Sequence, residues 1–117
     1  MTRRAKGTKA EDPRSPKIRA FLVRIRDEMQ HIGMWDIPKL MPEQLEDMGA
    51  FGSNTMAFEQ WLRWVFIPNI QTLLEKGGPW PQSSDVGVYA IRNFDGNNDA
   101  SELVSILCKF DELFSED

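Results

Sequence analysis

The sequence has little of what most enzymes use for chemistry. Its 117 residues include one cysteine (Cys108), one histidine (His31) and one tyrosine. A single cysteine excludes a disulfide within the chain and the paired-cysteine spacings of zinc sites. His31 falls near the expected end of a helix, where its interaction with the helix C-terminus explains it without a catalytic role. The sequence therefore predicts no catalytic residue, no cofactor and no metal ligand.

Long apolar runs are also missing. No stretch approaches the roughly 18 apolar residues that a membrane-spanning helix needs. The N-terminal segment MTRRAKGTKAEDPRSPK has basic residues but no apolar core of the secretory type. With its lone cysteine, these features predict a cytoplasmic protein without a membrane partner.

Charge is distributed unevenly along the chain. Residues 1–26 carry nine of the 14 Lys and Arg residues and two acidic residues, a balance of +7, whereas the remainder carries five basic and 16 acidic residues, a balance of −11. The Gly, Pro and charge content of residues 1–15 predicts a flexible, solvated basic arm on a single helical domain of residues 16–117. Such an arm could also contact phosphates, through Arg3, Arg4, Lys6, Lys9 and Arg14.

Apolar residues recur at helical spacing in the first half of the domain. Ser15 followed by Pro16 predicts the start of a helix that Gly33 ends. The following segment contains two prolines and two glycines before Ser53, which favours a long connection over a regular element. A second helix is expected from Asn54 or Thr55 to Lys76, before Gly77.

Two further helices are expected in the second half. A short one should follow Ser83 or Ser84 and run through Phe94. The last should begin at a capping box of Asp99 and Glu102 and continue to Phe114. Together the patterns predict an all-α fold: a four-helix bundle-like single domain with a long connection between helices 1 and 2.

The second helix, which contains EQWLRWVFIPNI, is apolar nearly all round, so it is expected to be the central element. Pro68 lacks an N–H and should bend it. Arg63 is the only polar residue from 61 to 68, and is expected to pair with Glu59 one turn earlier. A pocket beside the bend, walled by Trp35 and Trp80, is a further possibility that the pattern leaves open.

Several segments between about Ile18 and Phe114 form a recognisable set: FEQWLRWVFIP, VYA and ILCKFDELF, with Trp35, AFGSNTM, Ser84 and Tyr89. Together they resemble the YqcC-like family of small bacterial proteins. The resemblance implies an all-helical fold and a connection with tRNA pseudouridine synthase C, a label that some family members bear. It does not imply catalysis, because the Arg-Leu-Asp motif of such synthases is absent from this sequence. Where the family often has Pro-Tyr-Ala-Glu, this chain has VYAI at 88–91, so no role of that glutamate carries over.

Three functions remain open at this stage. The leading hypothesis is a noncatalytic accessory module that binds a protein, with a tRNA pseudouridine synthase as the partner that the family label suggests. Its partner groove would consist of Phe51, Trp61, Trp80 and Tyr89, with Arg63 at the rim. The first alternative is an RNA-binding accessory that uses the basic arm. The second is a small-molecule binder or enzyme at the pocket beside Pro68.

Overall fold

Four helices form the domain in a computed structural model that describes residues 12–115. Helix α1 spans Ser15–His31, α2 runs through three consecutive segments (Phe58–Trp61, Leu62–Phe66 and Ile67–Lys76), α3 spans Val86–Asn93 and α4 spans Ser101–Glu112. The predicted all-α fold is confirmed, since no strand occurs between residues 12 and 115. Helix α4 packs against both α3 and α1, and the last segment of α2 also contacts α1.

The core is built from the apolar stripes that the sequence predicts. Helix α1 buries Ile18, Leu22, Ile25 and Met29 on one face, at spacings of three and four residues. The other helices and their ends contribute Phe58, Leu62, Phe66, Ile67, Ile70, Val86, Ala90, Phe94, Ala100, Leu103, Ile106, Leu107, Phe110 and Phe114. These contributions join in one core that holds all four helices together.

The long connection holds two short 3₁₀ turns, Pro42–Leu45 and Ala50–Gly52. Helix α2 starts after it, at Phe58, so the predicted start at Asn54 or Thr55 is wrong. The Thr55 hydroxyl donates to the carbonyl of Gln44 (2.6 Å), and the Asn54 side chain donates to the carbonyl of Asp47 (3.1 Å). Both side chains therefore form hydrogen bonds within the long connection and do not cap α2.

Near Pro68, where the sequence predicts a bend, α2 contains a π-helical segment, Leu62–Phe66, which ends two residues before the proline. The N–H of Ile67 bonds to the carbonyl of Leu62, five residues back. A π turn inserts an extra residue into the hydrogen-bond register, which is one way a helix accommodates a residue that cannot donate. The helix then ends as predicted, with Gly77 in the left-handed conformation at φ 80°.

The starts of α3 and α4 differ from the predicted caps. No side chain of its own segment caps α3; Asp111 of α4 does so, accepting from the N–H groups of Val86 (3.1 Å) and Gly87 (2.8 Å). The Ser84 hydroxyl donates to the same carboxylate at 2.6 Å. Before α4, the side chain of Asn97 accepts from the N–H of Asp99 at 3.1 Å, in place of the predicted capping box.

Candidate functional site

Five aromatic rings meet where the long connection, α2 and α3 come together; we call Phe51, Phe58, Trp61, Tyr89 and Phe94 the aromatic cluster. Phe51 stacks on Tyr89, with ring centroids 4.5 Å apart and planes 21° apart, and meets Trp61 edge-on at 5.2 Å. Phe58 lies 5.0 Å from Tyr89, 5.8 Å from Trp61 and 5.6 Å from Phe94. Phe58 and Phe94 are buried, whereas the other three rings are half-buried, so the cluster reaches the surface.

The backbone of Phe51 is strained. Its φ is 56°, in the left-handed region that bulky residues seldom adopt. Gly52, next in the chain, has φ 71°, and a Cβ placed there would lie 2.7 Å from the Met56 side chain. Strain of this kind costs about 1–3 kcal/mol and persists only where the surroundings fix it. Here the stacking of Phe51 on Tyr89 offsets part of that cost.

Two apolar side chains lie at the surface of α3, on a different side of the helix from Tyr89. Val88 is 49% exposed and Ile91 is 54% exposed. Being three residues apart, they occupy neighbouring positions on one helix face. At about 100° per residue, this face lies roughly 100–160° around α3 from Tyr89, so the pair is not part of the aromatic cluster.

Arg63 lies apart from the cluster's rings, between two tryptophans. Its guanidinium carbon is 3.8 Å from the centroid of the Trp35 ring and 4.0 Å from that of Trp64. Its Nε donates to the carbonyl of Trp35 (3.1 Å), and the Trp64 indole N–H donates to the carbonyl of Ile37 (3.3 Å). The expected ion pair with Glu59 is wrong, because stacking on two rings and the bond to a carbonyl hold the guanidinium elsewhere.

Trp80 belongs to another part of the core. Its ring lies 6.2 Å from Phe114, over which the Arg14 guanidinium also lies at 5.3 Å. Its indole nitrogen is buried and has no hydrogen-bond partner among residues 12–115. The structure therefore brings together three of the five residues proposed for the groove, Phe51, Trp61 and Tyr89, and places Arg63 and Trp80 in separate contacts.

A cleft of about 680 Å³ lies between α1 and α2, beside Pro68; we call it the α1–α2 cleft. Its apolar lining includes Leu22, Val23, Ile67 and Leu74, together with the Trp35 ring. A pocket walled by Trp35 is thus present at the π segment, but Trp80 does not line it. The charged lining residues are Arg19, Arg26, Arg63 and Glu75.

Of the proposed phosphate-contacting arm, Arg3, Arg4, Lys6 and Lys9 lie outside the described residues. Arg14 is among the described residues, and its side chain forms an ion pair: its Nε and Nη2 donate to the Asp12 carboxylate at 3.1 and 2.9 Å. These bonds, with that from the Arg14 backbone N–H, lower the pKa of Asp12 to about 2. Arg14 therefore helps to organise the entry to α1.

Asp111 is a polar residue that sequence reasoning missed. Burial raises its pKa, against the lowering effect of its hydrogen bonds to Ser84 and to backbone N–H groups of residues 86–88. The pKa of the Cys108 thiol is also raised, first by burial and then by the negative charges of the nearby Asp111 and Glu112 carboxylates. In sequence, Asp111 stands in an acidic C-terminal stretch that gives no sign of a contact with α3.

Residues 12–115 contain no group of three His, Cys, Asp or Glu side chains placed to hold a metal ion. None of the helices in this range combines the length and apolar character needed to cross a bilayer.

Comparison with known proteins shows what this chain is similar to. A family model described as "tRNA pseudouridine synthase C" matches residues 17–113. A Haemophilus influenzae protein named "Uncharacterized protein" is 30% identical over 92 residues, which cover 79% of this chain and 87% of that protein. The Escherichia coli "Uncharacterized protein YqcC" is 31% identical over 91 residues, covering 77% of this chain and 81% of that one. No solved structure matches significantly. Since the family model spans most of the helical domain and the relatives align over most of their length, this chain belongs to the YqcC-like family.

Proposed function

We propose that this protein is a noncatalytic accessory module that docks a protein partner on the aromatic cluster, and that a tRNA pseudouridine synthase is this partner. The proposal rests mainly on one observation: Phe51 keeps a strained backbone, at φ 56°, while its ring stacks on Tyr89 at the surface. Backbone strain tends to be kept where a site needs a fixed geometry. A fixed pair of half-buried rings is a preorganised anchor for a partner.

The composition of the surface supports docking of a protein. Interfaces are enriched in aromatic residues, and their energetic centres are well-packed rings surrounded by less critical contacts. Phe51, Trp61 and Tyr89, which are half-buried, would form such a centre. These rings supply binding energy, and apart from the Tyr89 phenol they carry no acid, base or nucleophile, which favours an accessory role over catalysis.

The family description supports this choice of partner. Its model is described as "tRNA pseudouridine synthase C". The sequence lacks the Arg-Leu-Asp motif of such synthases, so we infer an association with the enzyme and not its activity.

Calorimetric titration of the full-length protein with purified tRNA pseudouridine synthase C from the same organism tests the proposal. Tyr89→Ala removes a half-buried ring of the cluster and should weaken the complex at least tenfold. Circular dichroism of the variant checks that its fold is intact. Val23→Ala, at a 45% exposed position on α1, is the matched control and should bind like the wild type.

Absence of a complex with the wild-type protein would contradict the proposal. So would a complex that Tyr89→Ala leaves unchanged. RNA binding through Arg3, Arg4, Lys6, Lys9 and Arg14 is the alternative. It predicts that a tRNA probe binds the full-length protein with strong salt dependence, and that removing residues 1–15 abolishes this binding.

A further inference from the structure

A second surface, the α1–α2 cleft, combines an apolar lining with an excess of arginine. We propose that it binds an acidic peptide segment of another protein, with a carboxylate at Arg63 and an apolar side chain on the cleft floor. This site is separate from the aromatic cluster and does not depend on the synthase partner proposed above.

The cleft floor is apolar. Leu22 and Ile67 are buried at its base, and the half-buried Leu74 lies beside them. Val23 stands on the α1 wall and is 45% exposed. A side chain entering the cleft would remove its own apolar surface and that of the floor from water, which favours binding.

The charge of the cleft is opposite to that of the domain. Its lining holds three arginines and one glutamate; Arg26 is paired with Asp27 at 3.1 Å, so the balance with that carboxylate included is +1. Residues 12–115 carry ten Lys and Arg against fifteen Asp and Glu, a balance of −5. A local positive site on an acidic body selects for a ligand with few carboxylates in the right place, because further negative charge is repelled.

Arg63 is prepared to receive a carboxylate. Its guanidinium is held between Trp35 and Trp64 at 3.8 and 4.0 Å, and its Nε is bonded to the Trp35 carbonyl. No carboxylate of residues 12–115 forms an ion pair with it. The Nη groups of Arg63 can therefore donate hydrogen bonds to a ligand. Because the planar guanidinium is already held in place, it can bind a carboxylate with little further loss of side-chain conformational entropy.

Three observations favour a peptide over other occupants. Residues 1–11 carry four basic residues and one glutamate, so they share the sign of the cleft's charge. A nucleic acid would bring many phosphates toward an acidic body and has no aliphatic side chain for the floor. The cleft is open to solvent, whereas small-molecule sites enclose most of their ligand.

The test is selection from a random heptapeptide library on the full-length protein, followed by fluorescence polarisation with the selected peptides. We expect peptides in which Asp or Glu neighbours an apolar residue. Arg63→Gln should weaken their binding about tenfold or more, the effect of losing a hydrogen bond between charged groups. Replacing the peptide's acid by its amide should weaken binding to a similar extent.

Val23→Glu supplies a second variant, because it places a carboxylate at an exposed position of the cleft wall and leaves Arg63 on its rings. It should also weaken binding. Arg92→Gln, at an exposed position on α3, is the charge-matched control for Arg63→Gln, and Tyr89→Ala is the control for the aromatic cluster; both should bind like the wild type.

Several results would overturn the proposal: no enriched peptide, enriched peptides without acidic residues, or binding that Val23→Glu leaves unchanged. Single-stranded RNA that competes with the peptides and also loses binding in Arg63→Gln would assign the cleft to nucleic acid instead. Loss of the synthase complex with peptide binding intact would count only against the function proposed for the aromatic cluster.

Discussion

Substituting alanine for Gly87 should destabilise the protein, because this glycine lets α3 lie directly against the backbone of α4. A Cβ at Gly87 would lie 2.5 Å from the Cα of Cys108, 2.6 Å from its nitrogen and 2.8 Å from the carbonyl carbon of Leu107. Carbon atoms in contact are about 3.5–4.0 Å apart, so the two helices would have to separate by roughly 1 Å. All three atoms are backbone, so no side-chain rotation relieves the clash.

The size of the effect follows from three terms. Overpacking costs about 1–3 kcal/mol. Separating the helices also stretches the bonds from Asp111 to the α3 backbone, for a further loss of about 1 kcal/mol. The higher helix propensity of alanine offsets about 1 kcal/mol of this loss of stability. We therefore expect a net loss of about 2 kcal/mol, which for a domain of this size lowers Tm by roughly 10 °C.

Urea unfolding followed by circular dichroism at 222 nm measures this change in the free energy of unfolding. Val88→Ala is the control, because it alters the next residue of α3 at a position that is 49% exposed. It should change the stability by no more than about 0.5 kcal/mol. A Gly87→Ala variant as stable as the wild type would refute the close approach of α3 and α4.

Three other substitutions test separate features of the fold. The raised pKa of Asp111 means that ionisation costs stability, so its contribution to the free energy of unfolding should decrease as pH rises from its ordinary value of 3.8 through the raised pKa. Urea midpoints measured between pH 3 and 7 should show this decrease in the wild type and not in Asp111→Asn; a wild type that gains stability relative to Asp111→Asn as pH rises would contradict it. Trp61→Ala should lose about 3 kcal/mol, since it removes a ring that packs on Phe51 and Phe58, and a loss near zero would mean that these contacts are weak. Pro68→Ala should lower the free energy of unfolding by about 1 kcal/mol if packing depends on the π segment, whereas a clear rise would show that the segment serves something other than packing.

Much of the helical architecture was predictable because its signals act within one or two turns. Pro16 sets φ for the first turn of α1, the stripe from Ile18 to Met29 follows the helical period, and Gly77 supplies the left-handed residue that ends α2. A disturbance of the backbone hydrogen bonds of α2 near Pro68 was also predictable, since a proline lacks the backbone N–H donor wherever it stands. Its π form was not, because the hydrogen-bond register depends on what the surrounding side chains pack against.

The candidate sites, by contrast, were decided by contacts between residues far apart in the chain. Sequence reasoning grouped Trp80 with Phe51 and Tyr89 because all three are aromatic, but in the fold Trp80 packs against Phe114. Arg63 has Glu59 one turn away and still binds Trp35, 28 residues back along the chain.

The sequence by itself therefore determined the helices, their apolar faces and the basic charge of the first 26 residues, since each depends on residue type and local spacing. Only the tertiary structure decided that Asp111 caps α3, that Phe51 takes a strained backbone to reach Tyr89, and that Arg63 lies in a cleft between α1 and α2. Each of these contacts joins segments 24 or more residues apart, whose meeting depends on how whole helices pack and not on any local preference.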